Sequence, residues 1–522
     1  MTKVFPSVQR WYPVVAVLAS RGGSEMRYLS LVALVGFVAS CTFSRTDFQE
    51  CSSNQDCQSV FGLGSSCNSD GLCEASERNV RCDQQYPSDL FTDSLKHADT
   101  IVFGSLMDRS AETKVARERA AQLAIVGANE AGGLEGRSFG MVFCNIEAQD
   151  DSEVRSENAV EAANYLVDTL GVPAIFGPSA SGDTQTVFLD LESSGTLMIS
   201  PSATSPALTS LDGDSPSDDT PGLLWRTAPP DDLQGKAIAA DLLKDSGLRS
   251  SGTASVNKIA IIFEQGPYGE GLATVLSDEY EALCAGGTCL VDLRPYSNDS
   301  TRNAAIAEVG GDAATEEVVF ISSSVSEVVA FLDAAAAING FVMDGKRIFL
   351  TDSAANADVI NGVGTDASNN LFDQIRGTRP KPLTQGEFAF GLFRAAYSAE
   401  YGEFPDQFSF TANSYDAGWL LVFGATWALL QEGSLDGLSM AKGLRKLSSG
   451  EDIDVQPTNY TAIRTKFQAG TSVNIEGASG ELNFDPATEE TSGPVETWQI
   501  SGANVVNTCG SPAMDTVCVY NP

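Results

Sequence analysis

Two clusters of hydroxyl residues have the composition of a binding site for a small polar molecule. The first, GPSASGDTQ, contributes Ser179, Ser181 and Thr184, and the second, SPSATSPALT, contributes Ser202 and Thr204. Each cluster follows a strand-like apolar run and is expected where a helix begins. Because backbone N–H groups at a helix start lack partners and the helix dipole favours negative charge, such hydroxyls can hold a carboxylate without Lys or Arg. N-capping is the structural alternative.

The same serines do not form a recognisable nucleophile motif. GPSASG lacks the G-x-S-x-G turn, and a Ser-His-Asp arrangement would need the single histidine, His97, which precedes the first predicted strand. A Ser-Lys pair stays open. The sequence has no Walker A loop and no dinucleotide-binding glycine fingerprint after a strand. We therefore expect a binding protein without a cofactor or a metal, and not an enzyme.

The charge balance argues against nucleic acid as a partner. The chain has 69 Asp and Glu against 32 Lys and Arg, for a formal net charge of −37. A surface this acidic repels phosphate backbones. The Asp-rich stretch LDGDSPSDDTPG (211–222) is typical of a solvated loop, because it lacks the Gly and distal Glu of an EF-hand calcium loop.

The N-terminus has the pattern of an export signal. Arg27 precedes the apolar run YLSLVALVGFVAS, which is too short to span a bilayer as a finished helix. The tetrapeptide VASC at 38–41 resembles a bacterial lipobox, which implies cleavage before Cys41 and acylation of its thiol. We assign 1–40 to the signal region, with the signal peptide at 26–40, and expect a cell-envelope protein, facing the periplasm or the surface, anchored through this lipid. A plain signal peptide is the alternative.

Eleven cysteines beside one histidine favour disulfides in an oxidising compartment. Without Cys41, ten remain. Four of them, spaced C-x5-C-x9-C-x5-C, lie in a polar stretch at 41–82. Because this stretch has almost no apolar core, it needs disulfide bonds to hold a fold, and a metal site is the alternative. Two further pairs are local, one of them in a tail at 506–522, and the last pair is assigned by elimination. The ten are Cys51, Cys57, Cys67 and Cys73 in the stapled stretch, Cys284 with Cys289, Cys509 with Cys518, and Cys82 with Cys144.

From about residue 98, strand-like apolar runs alternate with helical stretches. The runs are TIVFGSL, FGMVFC, AIFG, TLMIS, KIAIIF, EVVFIS and RIFLTD. One helical stretch, KVARERAAQLAIVGANEAGG, has apolar residues at helical spacing and stops at its Gly pair. Such alternation predicts parallel sheets with helices on both faces, and the length of 522 residues predicts two or three domains. The stretch LRSSGTASVN (248–257) has the composition of a linker.

Motifs in order from 98 to about 500 resemble the type I periplasmic binding proteins, in particular the leucine/isoleucine/valine-binding proteins of branched-chain amino acid ABC importers. They are EAGGLEGRSFGMVF, GPSASGDTQ, MISPSATSPALT, WRTAPPDDLQGKAIAADL, KIAIIFEQGPYGEGLA, FTANSYDAGWLL and GELNFDP. The resemblance implies an α/β fold of two lobes joined by three crossover strands, each lobe a parallel sheet with helices on both faces, after the disulfide-rich segment. Lobe one is expected at 98–228 plus about 356–445, and lobe two at 229–355 plus about 446–505.

The resemblance also implies a ligand cleft between the lobes. It assigns the ligand's carboxylate and part of its ammonium to the hydroxyl clusters of lobe one. In lobe two, VVFISSSVSE has serines where aromatic residues are common in the family, and the family's acid position in RIFLTDSAAN falls on Ser353, with Asp352 one residue earlier. The predicted ligand-binding residues are Ser179, Ser181, Thr184, Ser202, Ala203, Thr204, Ser324, Asp352 and Ser353.

The implied function is that of a lipid-anchored solute-binding protein that captures an amino acid or a related carboxylate or amide for an ABC permease. An aliphatic amino acid fits if Asp352 turns into the cleft, since a partly buried ammonium needs a counter-charge. The alternative is a ligand sensor or surface lipoprotein of the same fold without a transport role, which the Cys-rich segment and the altered second lobe favour.

Overall fold

The structure is a computed structural model that describes residues 50–149, 153–213, 215–243, 258–284, 289–343, 345–381, 388–502, 504–507 and 519–520. The signal region with Cys41, the linker at 248–257, and the tail cysteines Cys509 and Cys518 lie outside the described residues. Their lipidation and pairing stay predictions. No helix within the described ranges is both long and apolar enough to cross a membrane.

A small disulfide-stapled segment comes first. Its elements are helix α1 (Asn54–Phe61) and the antiparallel strands β1 (Ser65–Cys67) and β2 (Cys73–Ala75). Disulfides join Cys51 to Cys67 and Cys57 to Cys73. Because these bonds consume all four sulfurs, the metal-site alternative for this segment is wrong.

Lobe one is built on a six-stranded sheet with the order β3-β5-β4-β6-β7-β8. The strands are β3 (Gln84–Tyr86), β4 (Ile101–Met107), β5 (Phe139–Asn145), β6 (Ala174–Phe176), β7 (Leu197–Ser200) and β8 (Leu224–Arg226). The helices between them are α2 (Glu112–Glu130), α3 (Arg155–Asn164) and α4 (Ser181–Leu191). The predicted parallel sheet is confirmed from β4 to β8, but the edge strand β3 is antiparallel to β5.

Lobe two follows with a second sheet whose first five strands are parallel, in the order β10-β9-β11-β12-β13. They are β9 (Lys258–Glu264), β10 (Leu290–Tyr296), β11 (Glu317–Ile321), β12 (Arg347–Leu350) and β13 (Ile375–Pro380). Its helices are α5 (Asp232–Leu242), α6 (Pro267–Leu283), α7 (Asp299–Gly311), α8 (Val325–Ala336), α9 (Asn339–Val342), α10 (Ala357–Gly362) and α11 (Thr365–Leu371).

The chain then returns to lobe one and finally closes the sheet of lobe two. The returning elements are α12 (Phe388–Tyr401), α13 (Thr411–Trp427), α14 (Gly437–Leu444), β14 (Glu451–Asp454), α15 (Tyr460–Gln468), β15 (Val473–Gly477) and β16 (Gly480–Glu481). The closing strands are β17 (Val495–Ser501), β18 (Asn504–Asn507) and β19 (Val519–Tyr520). Since β17 pairs antiparallel with β13, β18 and β19, this sheet is also mixed at its edge.

The later lobe boundaries differ from those predicted. The stretch at 356–380, expected in lobe one, packs in lobe two, where β13 pairs with β12. The stretch at 446–484, expected in lobe two, shares the core of lobe one. The reason is α13, which is buried along nearly its whole length. Because α2 and α14 cover only part of α13, its remaining surface packs against α15 and β15 as a further cover.

Two further disulfides match the prediction. Cys82 pairs with Cys144 at the end of β5, and Cys284 pairs with Cys289. The first bond ties the chain ahead of β3 to the sheet of lobe one.

Candidate functional site

A cavity lies between the lobes, where β6, β7, β11 and β12 end. Lobe one contributes Lys114, Arg117, Ser179, Ala180, Ser181, Ser202 and Phe410, and lobe two contributes Tyr268, Ser323, Asp352 and Ser353. Carboxyl ends of parallel strands are the expected place for ligands in open α/β sheets. Only two of these side chains, Ala180 and Phe410, are apolar, and the cavity is therefore suited to a polar solute.

Arg117 of α2 is the most connected cation in the cavity. Its Nη1 donates to Ser179 Oγ at 2.5 Å and to Ser202 Oγ at 3.0 Å, while Nε and Nη2 donate to Ser409 O and Oγ at 2.9 and 2.8 Å. The guanidinium carbon lies 4.9 Å from the ring centre of Phe410, whose backbone adopts the left-handed conformation (φ 63°). Burial lowers the pKa of Arg117 to about 10, against the opposing effect of Asp352. Its direct partners are all neutral oxygen atoms.

Lys114 stands one turn earlier on the same face of α2. Its Nζ lies 3.2 Å from Ser179 Oγ. Burial and the positive charge of Arg117 lower the pKa of Lys114 to about 7. Asp108, Arg155 and Asp183 also act on this ammonium. Their own ion pairs join Arg155 to Asp183 at 2.7 Å and to Asp108 at 3.4 Å.

The contact between Lys114 and Ser179 bears on the Ser-Lys alternative. Ser202 Oγ donates to the backbone carbonyl of Ser179 at 2.9 Å, and the two hydroxyl oxygens are 2.7 Å apart. Because Ser202 gives its proton to that carbonyl, the proton of Ser179 points to Ser202 Oγ. A protonated Lys114 therefore donates to Ser179, whose hydroxyl oxygen also accepts from the guanidinium of Arg117. The arrangement favours binding of an anion over activation of a nucleophile.

Asp352 faces these cations from lobe two. It follows β12 and is 4 % exposed. Its Oδ1 accepts hydrogen bonds from the hydroxyl of Tyr268 at 2.6 Å and from Nε2 of Gln234 at 3.1 Å. The hydroxyl of Ser353, in contrast, donates to the backbone carbonyl of Ser322. The acid expected in this position is thus supplied by Asp352, one residue before the family position.

Four predicted binding residues lie outside the cavity lining. Thr184 donates to carbonyls of its own turn, and the backbone N–H of Ala203 donates to a neighbouring serine. Thr204 donates to Asp231 at 2.8 Å. Burial and the charge of Asp352 raise the pKa of Asp231 well above its usual range. Ser324 faces the outer part of the interlobe cleft, where its hydroxyl pairs with that of Ser326 at 2.8 Å.

The hydroxyl clusters have partners other than the helix starts at which the sequence predicted them. Ala180 is the N-cap of α4 and makes no side-chain capping bond. The second cluster precedes only the short 3₁₀ turn Pro206–Leu208, which Ser205 caps. Instead, Ser179 and Ser202 accept hydrogen bonds from Arg117. The structure therefore places two cations beside hydroxyls that the sequence predicted could bind an anion without Lys or Arg.

Sequence reasoning missed both cations and the lobe-two partners of Asp352. Lys114 and Arg117 belong to a stretch with the pattern of an ordinary amphipathic helix, in which charged residues normally face water. Their spacing of three residues on one helix face was the available signal. Gln234 and Tyr268 lie near the starts of α5 and α6 and had no such signal.

Two α/β lobes with a buried polar cavity between them define the type I periplasmic-binding-protein fold. The chain belongs to the family described as "Receptor family ligand binding region", whose model matches residues 116–503. Chemotactic signal transduction system substrate-binding protein BasB of Halobacterium salinarum is 25 % identical over 385 residues, which cover 72 % of this chain and 80 % of BasB. Leu/Ile/Val-binding protein BraC3 of Rhizobium johnstonii is 27 % identical over 378 residues, which cover 68 % and 88 %.

Solved structures show the same fold. A leucine binding protein LivK from Thermotoga maritima superposes with a TM-score of 0.60 at 18 % identity, covering 81 % of this chain and 99 % of LivK. A solute binding protein from R. palustris in complex with benzoate gives a TM-score of 0.58 at 17 % identity, covering 81 % and 98 %. These proteins share the two-lobed architecture with this chain, and the predicted fold class and family are confirmed.

Proposed function

We propose that this protein is an extracytoplasmic, lipid-anchored solute-binding protein that captures a small carboxylate-bearing ligand between its lobes and delivers it to an ABC importer. The interlobe cavity carries the proposal, because Lys114 and Arg117 on one lobe face Asp352 on the other. Such a site recognises complementary charges only when both lobes contact the ligand. The names of the relatives, among them a Leu/Ile/Val-binding protein, support a solute of this size.

Direct bonds between the lobes support a closing motion. The backbone N–H and hydroxyl of Thr113 both donate to one oxygen of Asp358, at 2.8 and 2.7 Å. The hydroxyl of Ser205 donates to the carbonyl of Pro267 at 2.6 Å. Because these bonds join surfaces that form the cleft rather than the hinge, they exist only when the lobes are together. Ligand capture in this protein is therefore a closure of two rigid bodies.

A thermal-shift screen of the full chain tests ligand capture. Protein refolded to remove bound solute is screened against amino acids, small carboxylates, amides, aromatic acids and sugars. A ligand at 100 times its Kd adds about 2.7 kcal/mol to the free energy of unfolding. A stabilising ligand whose effect disappears in Asp352→Ala supports the proposal. The absence of any stabilising ligand, together with no small molecule in native mass spectra of freshly purified protein, would count against it.

The second candidate is a ligand sensor of the same fold. It is favoured by the similarity to BasB, whose name places that protein in chemotactic signal transduction. Uptake of the radiolabelled ligand separates the two roles in a deletion strain. Reduced uptake supports transport, whereas unchanged uptake with a lost behavioural or transcriptional response supports sensing.

Mass spectrometry of the membrane-associated protein tests the anchor. A diacylglyceryl group on Cys41, lost together with membrane association in Cys41→Ser, is the expected result. An unmodified thiol at this position would indicate a plain signal peptide.

A further inference from the structure

The two cations of the cavity are buried without a counter-charge in direct contact. Lys114 is 8 % and Arg117 is 3 % exposed. Within the described residues, neither side chain has a carboxylate oxygen within the 4.0 Å limit of an ion pair. A buried charge is costly unless it is paired. Arg155, in contrast, has a counter-charge in direct contact, because it forms an ion pair with Asp183.

The hydroxyls around Arg117 are suited to a change of partner. Ser179 and Ser202 are both donor and acceptor. They can turn their protons toward incoming oxyanions, while Arg117 and Lys114 each donate to one of them. No side chain has to leave the cavity for this exchange, which makes the cation pair a preformed anion site.

The charges of the cavity specify the net charge of its ligand. With Lys114 protonated, Lys114 and Arg117 contribute two positive charges and Asp352 contributes one negative charge. A ligand with one excess negative charge neutralises this set. An aliphatic amino acid has no net charge, and the apolar lining is limited to Ala180, the ring of Tyr268 and the Phe410 ring, which Arg117 already covers.

We infer that the ligand is an α-amino dicarboxylate, with its two carboxylates on Lys114 and Arg117 and its ammonium on Asp352. The inference rests on the proposed function and specifies the substrate class of the same cavity. Tyr268 and Gln234 hold Asp352 toward the ammonium.

Isothermal titration of the full chain with matched solutes tests the inference. The probes are L-glutamate and L-aspartate, their amides L-glutamine and L-asparagine, the dicarboxylates glutarate and succinate, and L-leucine and benzoate. At least one acidic amino acid is expected to bind roughly 100-fold more tightly than its amide, because a charge-assisted bond to a buried cation is lost in the amide. Tighter binding of L-leucine, benzoate or an amide overturns the inference and leaves ligand capture intact.

Variants locate the two halves of the ligand. Lys114→Met is expected to weaken binding of the acidic amino acid by roughly 10-fold to 100-fold without lowering Tm, since it removes a buried charge. Lys442→Met, which removes a surface charge paired with Glu432, is the matched control and is expected to bind normally. Asp352→Asn is expected to reverse the preference between glutamate and glutarate. Equal binding of both by the unmodified protein would overturn the ammonium assignment, and full affinity in Lys114→Met would overturn the carboxylate assignment.

Discussion

Thr113 of lobe one donates two hydrogen bonds to a single carboxylate oxygen of Asp358 in lobe two, at 2.8 Å from its backbone N–H and at 2.7 Å from its hydroxyl. Thr113 is one residue before Lys114, and the bond therefore ties closure of the lobes to the helix that carries the cations of the cavity. The carboxylate receives two protein donors only when the lobes are together.

Asp358→Ala is expected to weaken ligand binding by roughly 5-fold to 10-fold, because the closed state loses two hydrogen bonds that the open state does not make. Titration calorimetry measures the affinity, and small-angle scattering measures closure with and without ligand. Asp366→Ala, in the exposed first turn of α11, is the matched control. Unchanged affinity in Asp358→Ala would show that the bond does not contribute to closure.

Tyr268→Phe is expected to lower ligand affinity by roughly 10-fold, because Asp352 loses its shortest hydrogen-bond donor and keeps only Gln234. Binding curves and Tm of the variant separate a loss of affinity from a loss of folding. In the control Tyr401→Phe, the removed hydroxyl donates to the carbonyl of Arg119, away from the cavity lining. An equal loss of affinity in both variants would contradict a role of Tyr268 in positioning Asp352.

Ligand affinity is expected to fall as pH rises above about 7. Burial and Arg117 lower the pKa of Lys114 to about 7, and an anion bound beside it raises that pKa again. Below pH 7 the ammonium is already charged, whereas above pH 7 binding must take up a proton, with a limiting slope of tenfold in affinity per pH unit. Asp108, Arg155 and Asp183 form their own ion pairs beside this ammonium.

Calorimetry between pH 6 and 9, in buffers of different ionisation enthalpy, measures both the affinity and the proton uptake. In Lys114→Met the slope is expected to disappear. An affinity that rises with pH in the unmodified protein would contradict the assignment of this titration to Lys114.

Replacing Cys82 and Cys144 together by Ala is expected to lower the free energy of unfolding by roughly 2–4 kcal/mol, because the disulfide closes a long loop between residues 62 positions apart. Urea unfolding measures the loss. The same replacement of Cys284 and Cys289, which are 5 positions apart, is expected to cost less. A larger effect of the shorter loop would show that loop closure does not govern the contribution of these bonds.

Much of the architecture follows from local patterns in the sequence. The runs from TIVFGSL to RIFLTD became β4, β5, β6, β7, β9, β11 and β12, because continuous apolar runs between turn residues are what a buried parallel strand requires. Strand β10 escaped prediction, since LVDLRPY lies at a sheet edge and is largely exposed and polar. The disulfide pairs Cys82–Cys144 and Cys284–Cys289 were within reach of spacing and elimination.

The site was predicted in part. Ser179, Ser181 and Ser202 were predicted near the cavity because they follow strands whose ends converge in a parallel sheet, and Asp352 and Ser353 were predicted from the family resemblance; all five line the cavity. The direction of a side chain after a strand end has no such rule, and Thr204 consequently turned to Asp231 instead of the cavity.

The sequence by itself determined the parallel part of the two sheets, the disulfide-stapled segment and the strand ends that meet at the cavity, because each follows from residue spacing along the chain. Only the tertiary structure decided which lobe receives the later elements and which charges face the ligand. Which elements bury the remaining surface of α13 depends on its neighbours in space, not on its own sequence. Likewise, Lys114 and Arg117 became cavity residues only when Ser202, Ser409 and Asp352 closed around their helix face.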